Sequence, residues 1–522
     1  MSASKEKKIR KEQRTAADWV DSKAIQAEKD KQASRKTTIL FAVAAVLFVA
    51  IGLFSFFFNS GFMQKKTDAV TINGESYSPA QVQYYYVNTY QNFIEQNYYY
   101  LSYYGLNTGT SLKAQQCFLL EDGTWHDYFV ENAAKSMKDV QALCDAAEKA
   151  NFQWTDEMQA DYEAELAAME AGRVSYNETN STSLDMNGYL EKVFGKLVTE
   201  KIFQEEVKRS ITATSYANAY VESLEYSDSQ IQEAYDNGKL EFDRVSYNAL
   251  RISGAPSTTD ADGKAVTPTD ADKAAAMAEA KALAEELLAK AQKGETLKDL
   301  SSAYQKANLT TSESTSYYED IVMDWLFDES RKDGDLAVLE DADASYYYVV
   351  QFNNRFRHDY NTVNVRHILL TGGSGSLTSE DAGYEQQQAM LKDMAMAEAE
   401  MILMEWANGE ATEESFAALA NKHSLDGGSN TKGGLYEQVY AGQMVTEFAN
   451  WCFDETRKPG DTGIVYSEDT GAHVMYFVGE DRPYWEVQVI ESLKSKAYTE
   501  WYEDQTAGYE YEINDFGMSA VG

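Results

Sequence analysis

Residues 451–461 read WCFDETRKPGD, and residues 325–335 read WLFDESRKDGD. The two stretches stand 126 residues apart, and the likeness continues upstream. AEAKALAEELLAKAQKG (278–294) answers MAMAEAEMILMEWANG (394–409), and YNALRI (247–252) answers VRHILL (365–370). Self-similarity at a fixed offset marks a duplicated domain, here of roughly 120 residues. Each copy opens on a strand pattern and continues into a long helical one, an α+β unit. The copies differ in chemistry. The second has His367 and His473; at the matching places the first has Ala249 and about Tyr347. From Leu419 to Trp451 is 32 residues, but from Leu300 to Trp325 only 25. The missing residues fall in the loop that carries Asp426 and Gly433-Gly434. One copy is chemically equipped; the other reads as scaffold or as a client-binding surface.

Composition bounds the remainder. The 522 residues leave room for three or four domains. With 44% hydrophobic and 13% aromatic residues, sizeable cores can form. A formal charge of −38 argues against a phosphate-binding surface, which needs clustered Lys and Arg, so nucleic acid is not an expected partner. Three cysteines (Cys117, Cys144, Cys452) are too few for a disulfide framework, and no zinc spacing occurs, so no metal is expected. Cys452 stands where the first copy has Leu326, as a small buried apolar residue would. A Cys117–Cys144 bridge stays open.

Thr37–Phe58 is 22 residues without a charge. As a helix it is about 33 Å long, enough to cross a hydrocarbon core of about 30 Å. Residues 1–36 hold eleven Lys and Arg against six Asp and Glu, a net of +5 that leaves −43 for the rest. The positive-inside rule places 1–36 in the cytoplasm and the bulk of the chain outside the cell membrane, attached by a single-pass helix. A cleaved signal peptide would have a shorter apolar region and a small-x-small site, which Asn59-Ser60-Gly61-Phe62 does not supply.

Residues 59–68 read as a polar tether. AVTINGESYSPAQVQYYYV (69–87) then reads as a strand, an Asn-Gly turn, and a helix capped by Ser78 with Pro79 at its first position. Helical periodicity dominates to about 235, interrupted by a flexible-looking loop, GRVSYNETNSTSLDMNG (172–188). SDSQIQEAYDNGKLEF (227–242) leads into the first copy as a capped helix. The tyrosine clusters 84–86 and 98–104 admit two readings, a client-binding crevice or a helix core. The tail has a helix at 484–504 and a strand-like YEYEIN at 509–514.

In the second copy, VRHILL, the Ala/Glu-rich helix ending at Gly409, SFAALANKHSLDGGSNTKGGL (415–435), AGQMVTEFANWCF (441–453) and GAHVMYF (471–477) together resemble a parvulin-type prolyl isomerase domain. The whole chain resembles the membrane-attached, extracytoplasmic PrsA- and SurA-like foldases, whose helical chaperone module accompanies parvulin domains. The resemblance implies catalytic positions at His367, Asp426 and His473, and an apolar proline pocket of Leu435, Met444 and Phe448. It implies a supporting hydroxyl from Ser467 or Thr470, and no cofactor. Where the family has Gly-Gly-x-Leu-Gly, Gly433-Gly434 runs directly into Leu435 and Tyr436, so the shape of this loop is open. His423 reads as structural, and no nucleophile-elbow motif supports a Ser-His-Asp triad.

The chemistry suits such a site. Resonance opposes rotation of the X–Pro amide by about 18–20 kcal/mol. An apolar grip on the ring and preorganised polar groups can favour the twisted amide without any covalent step.

The expected architecture is α+β: a cytoplasmic tail (1–36), a transmembrane helix (37–58), a tether (59–68), and a helical module (69–239) completed by 484–522. Between these ends come a degenerate parvulin-like domain (240–358) and a parvulin-type domain (362–483). The expected activity is cis/trans isomerisation of X–Pro bonds in unfolded or newly secreted polypeptides. The alternative is a holdase that uses parvulin folds only to bind.

Overall fold

The computed structural model describes residues 62–259 and 262–522. The expected tail and transmembrane helix, and residues 59–61 of the tether, lie outside the described residues. Phe62–Lys66 of the expected tether is a short helix. Among the described residues no helix is long and apolar enough to cross a membrane. Two compact units form. One takes the chain up to Leu224 together with Ala497–Gly522; the other is Glu225–Lys496.

The first unit opens on a hairpin of β1 (Val70–Ile72) and β2 (Glu75–Tyr77). Asn73 (φ 49°) and Gly74 (φ 86°) both adopt positive φ, as a tight two-residue turn requires. Ser78 and Gln81 form a capping box, with Pro79 at the first helical position of Pro79–Gln96. The strand Tyr511–Ile513 pairs antiparallel with β1, setting Val70 opposite Ile513 and Ile72 opposite Tyr511. The helices Trp125–Lys149, Asp156–Asn180, Met186–Phe194 and Glu200–Glu222 complete the unit. Trp125, Phe129, Leu190 and Ile72 are fully enclosed in its core.

The two tyrosine clusters differ in burial. Tyr84, Tyr85 and Tyr86 are buried in this core, whereas Tyr98, Tyr99, Tyr100 and Tyr103 are exposed. The expected loop at 172–188 is a correction. Helix Asp156–Asn180 runs through its first half, and the break spans only Ser181 to Asp185. Asn177 accepts the Leu184 N–H at 2.8 Å, and Asp185 caps the next helix. Polar residues on an exposed helix face share their composition with a loop. Cys117 and Cys144 are free thiols.

In the second unit the copies build the same sheet twice. The first runs β4-β3-β6-β5 and the second β8-β7-β10-β9, antiparallel throughout. The strands are β3 (Arg244–Ser253), β4 (Ala307–Thr315), β5 (Leu336–Asp341) and β6 (Tyr346–Phe356), then β7 (Asn361–Leu370), β8 (Leu435–Val439), β9 (Thr462–Ser467) and β10 (Gly471–Pro483). A long helix covers one face of each sheet, Asp270–Ala291 in the first and Tyr384–Asn408 in the second.

The duplicated phrase is the turn from a short helix into an edge strand. Arg331 lies over the Trp325 ring at 4.7 Å, and Arg457 over Trp451 at 4.0 Å. Asp328 accepts the Ser330 N–H and Asp454 the Thr456 N–H, both at 2.8 Å. Gly334 and Gly460 take φ of 84° and 90° and donate to Phe352 and Phe477. The phrase is thus preserved for its fold.

The helix Tyr484–Thr506 is shared between the units, rather than lying wholly with the first. Trp485 and Val489 join Ile231 and Phe242 in the second unit. Trp501 stacks on Tyr220 at 4.6 Å in the first.

Candidate functional site

Strand alternation decides what reaches the site. In β7 and β10, Ile368, Leu370, Ala472 and Val474 pack with the long helix, while Val365, Met475 and Phe477 face the other side. His367 and His473 share that second face. His367 pairs with Met475 and His473 with Leu369, so the histidines are diagonal neighbours. Their rings stack at 5.3 Å, and Nδ1 of one lies 3.1 Å from Nδ1 of the other. The short helix Thr446–Cys452 closes this face with Phe448. Its ring meets both imidazoles edge-on, 5.4 Å from His367 and 5.5 Å from His473.

Asp426 approaches from the loop after helix Glu413–His423. Its Oδ2 accepts from His367 Nε2 at 2.9 Å, from the Tyr436 hydroxyl at 3.0 Å, and from the Ser429 hydroxyl. Burial alone would raise its pKa, but the bonds from Ser429, His367 and Tyr436 outweigh burial and hold it at about 2. Asp426 is therefore ionised and can only accept. That assigns the protons along the chain of bonds. His367 donates from Nε2, so its Nδ1 accepts from His473 Nδ1. His473 Nε2 then accepts the Thr470 hydroxyl, 2.7 Å away. Thr470, His473, His367 and Asp426 form one directional relay.

Burial pushes His473 down to about 4, and the neighbouring His367 adds to this. Burial also lowers His367, against the opposing pull of Asp426. Both imidazoles are neutral at pH 7. An unfolded histidine titrates near 6.5, so the unfolded chain takes up protons first as pH falls. Stability is complete above about pH 6.5 and is lost progressively towards pH 4, by roughly 3 kcal/mol for His473. Urea unfolding of the second copy at pH 7 and 4.5 should show this loss, and His473→Asn should shrink it. Equal slopes in the two proteins would count against a buried neutral His473.

Met444 is partly buried and joins Phe448 in the same apolar cluster. Thr470, not Ser467, supports the histidines; the Ser467 Oγ accepts from Asp469 N–H at 3.2 Å. Leu435 is a correction. It lies opposite Arg366, while Tyr436 lies opposite Val365, so Tyr436 faces the site and Leu435 faces away. Tyr436 and Ser429 are the participants that sequence reasoning missed. In the sequence Tyr436 is a departure from a glycine pattern, and its place two residues past the Gly433-Gly434 turn is the signal that points to it.

The glycine pair is a packing requirement. Gly434 has φ +70°, and a Cβ there would stand 2.2 Å from the His367 carbonyl oxygen. Its carbonyl accepts the His367 N–H at 2.8 Å, tying the loop to β7.

In the first copy Ala249 occupies the place of His367, opposite Val350. The counterpart of His473 is Tyr348, opposite Arg251 as His473 is opposite Leu369. Tyr347, the expected match, is one residue off and packs with the long helix. Helix Leu297–Ala303 leads within three residues into β4, so nothing corresponds to the Asp426 loop.

Residues 347–480 match the model of the PPIC-type PPIase domain. The chain thus carries a PPIC-type peptidyl-prolyl isomerase domain of parvulin kind. No curated protein matches the chain. Among solved structures, peptidylprolyl isomerase PrsA from Bacillus anthracis is similar at 20% identity, covering 32% of this chain and 63% of its own, with a TM-score of 0.18. PrsA from Bacillus subtilis is similar at 13% identity over 76% of this chain and 92% of its own, TM-score 0.25. PrsA from Bacillus cereus matches at 14% identity over 76% and 90%, TM-score 0.18. The chain spans under two thirds of the Bacillus anthracis protein.

Proposed function

We propose that the chain is an extracytoplasmic, membrane-attached foldase that holds unfolded or newly secreted polypeptides and isomerises their X–Pro bonds. The observation that carries this reading is the relay ending on an ionised Asp426 beside an apolar wall. Both nitrogens of each imidazole are engaged within it. Proton transfer to the substrate is therefore not their work; they are positioning residues that hold a rigid polar floor. Met444 and Phe448 form the apolar wall that grips the proline ring. A planar amide is more dipolar than a twisted one, because resonance separates its charge. An apolar wall set over a preorganised polar floor favours the twisted form. The uncharged run Thr37–Phe58 and its +5 flank support attachment and outward orientation.

Fragment 360–483 is expected to speed cis/trans exchange in an X–Pro peptide, and fragment 240–358 is not. Exchange NMR or a protease-coupled assay reads this directly. Equal activity of the two fragments, or none in the second, would sink the assignment. One observation favours the holdase reading. Phe448 is only 2% exposed, so its ring offers a proline little surface to grip. A chain that suppresses aggregation but leaves the exchange rate unchanged would decide for that reading.

A further inference from the structure

The duplicated fold offers an internal comparison for the outer face of its long helix. In both copies this helix turns small residues to the sheet. Ala280, Ala284 and Leu287 in the first are buried, as are Ala395, Ala399 and Ile402 in the second. These pairs share a single offset of 115 residues. At the same offset the outer faces diverge. Met390, Met394, Met401 and Met404 are 55%, 52%, 60% and 58% exposed. The first copy has Ala275, Glu279, Glu286 and Ala289 in their places. The fold therefore does not require methionine there.

Separations of four, seven and three residues set the methionines on one stripe of a 3.6-residue helix. A helix apolar on both faces needs a partner on each. Methionine, unbranched and polarisable, suits surfaces that accept varied apolar partners. The borders of the stripe narrow the choice. Helical spacing puts Asp393 and Glu400 along one edge and Glu398 and Glu405 along the other. Lys422 reaches Glu405 at 4.0 Å. Lys392 lies over the Tyr466 ring at 4.4 Å, on the sheet side, and does not offset the acidic edges. A second copy docked here would set acidic edge against acidic edge, which is unfavourable. An apolar segment flanked by Lys and Arg is complementary.

We propose that the outer face of helix 384–408 docks a cationic amphipathic helical segment of an unfolded polypeptide. Its apolar residues lie on the four methionines and its cations on the two acidic edges. The contact is independent of proline and of the isomerase site, whose side chains occupy the opposite face of the sheet.

The test uses residues 62–522, which hold both compact units, and a fluorescent, proline-free Leu/Lys peptide of about 18 residues that is amphipathic as a helix. Anisotropy is expected to show saturable binding. The variant Met390→Ala, Met394→Gln, Met401→Gln, Met404→Ala should bind about tenfold more weakly while keeping its X–Pro exchange rate. Asp393→Asn with Glu398→Gln and Glu400→Gln should weaken binding and flatten its salt dependence. A Leu/Glu peptide of the same pattern should bind about tenfold more weakly than the Leu/Lys one. Unchanged binding in the methionine variant, or equal affinity for the two peptides, overturns the proposal. So does self-association, or binding to lipid vesicles, that disappears with the methionines when peptide binding does not.

Discussion

Alanine in place of Asp426 is expected to lower the X–Pro exchange rate of the chain about 10–100-fold, because hydrogen bonds to a charged group are worth about 1.5–3 kcal/mol. Three side-chain donors, from His367, Ser429 and Tyr436, converge on its Oδ2. Removing the carboxylate strands all three. It also removes the reason for the proton to sit on His367 Nε2. The relay can then run in either direction, and the polar floor no longer has one arrangement. The loss should fall on kcat more than on KM, because Met444 and Phe448 are untouched. Asp426→Asn should fall between, since its amide oxygen still accepts but carries no full charge. Burial, no longer opposed by Asp426, would lower the His367 pKa further in either variant. Peptide exchange rates for the three proteins, with circular dichroism to confirm folding, check the prediction. An alanine variant with more than half the wild-type rate would mean that the site is not organised around this carboxylate.

The repeat made much of this architecture legible. Two copies of one phrase implied two copies of one sheet, and unequal histidines pointed to the copy that carries the relay. What escaped the sequence was face rather than position. Leu435 and Tyr436 are adjacent, and so are Tyr347 and Tyr348. In a strand a shift of one residue moves a side chain to the opposite side. Only the register Val365 to Tyr436, and Arg251 to Tyr348, decides which neighbour meets the site. Ser429 escaped for another reason. It reaches Asp426 through a turn that Asn430–Lys432 tightens, and nothing in a run of Gly, Ser and Asn foretells that closure. The helix through 172–180 escaped because its polar residues face outward, where composition does not separate helix from loop. Exposure was equally hidden: one tyrosine cluster became core and the other surface.

Removing residues 507–522 is expected to unfold the helical unit while sparing the second copy of the repeat. The strand Tyr511–Ile513 covers β1, where Val70 and Ile72 are fully buried. The Asn73 N–H donates to the Glu510 carbonyl at 3.0 Å, and the Asn514 N–H to the Ala69 carbonyl at 2.9 Å. The Tyr509 hydroxyl reaches Asp145 at 2.8 Å, tying the tail to helix Trp125–Lys149. Beyond the strand, Val521 is fully buried and Met518 nearly so. Burying such side chains contributes about 1.5–3 kcal/mol each, as an upper bound. Losing both, and exposing Val70 and Ile72 as well, approaches the whole stability of a typical domain, about 5–15 kcal/mol. Gly517→Val is a point version of the same lesion, because a Cβ there would stand 2.3 Å from the Asp68 carbonyl oxygen. The sheet β8-β7-β10-β9 keeps its own buried residues on both faces, and none of them comes from the tail. Amide exchange on the truncated chain should therefore show 69–222 unprotected and 362–483 unchanged. Retained protection in 69–222 would mean that β1 and the helices behind it do not depend on the tail.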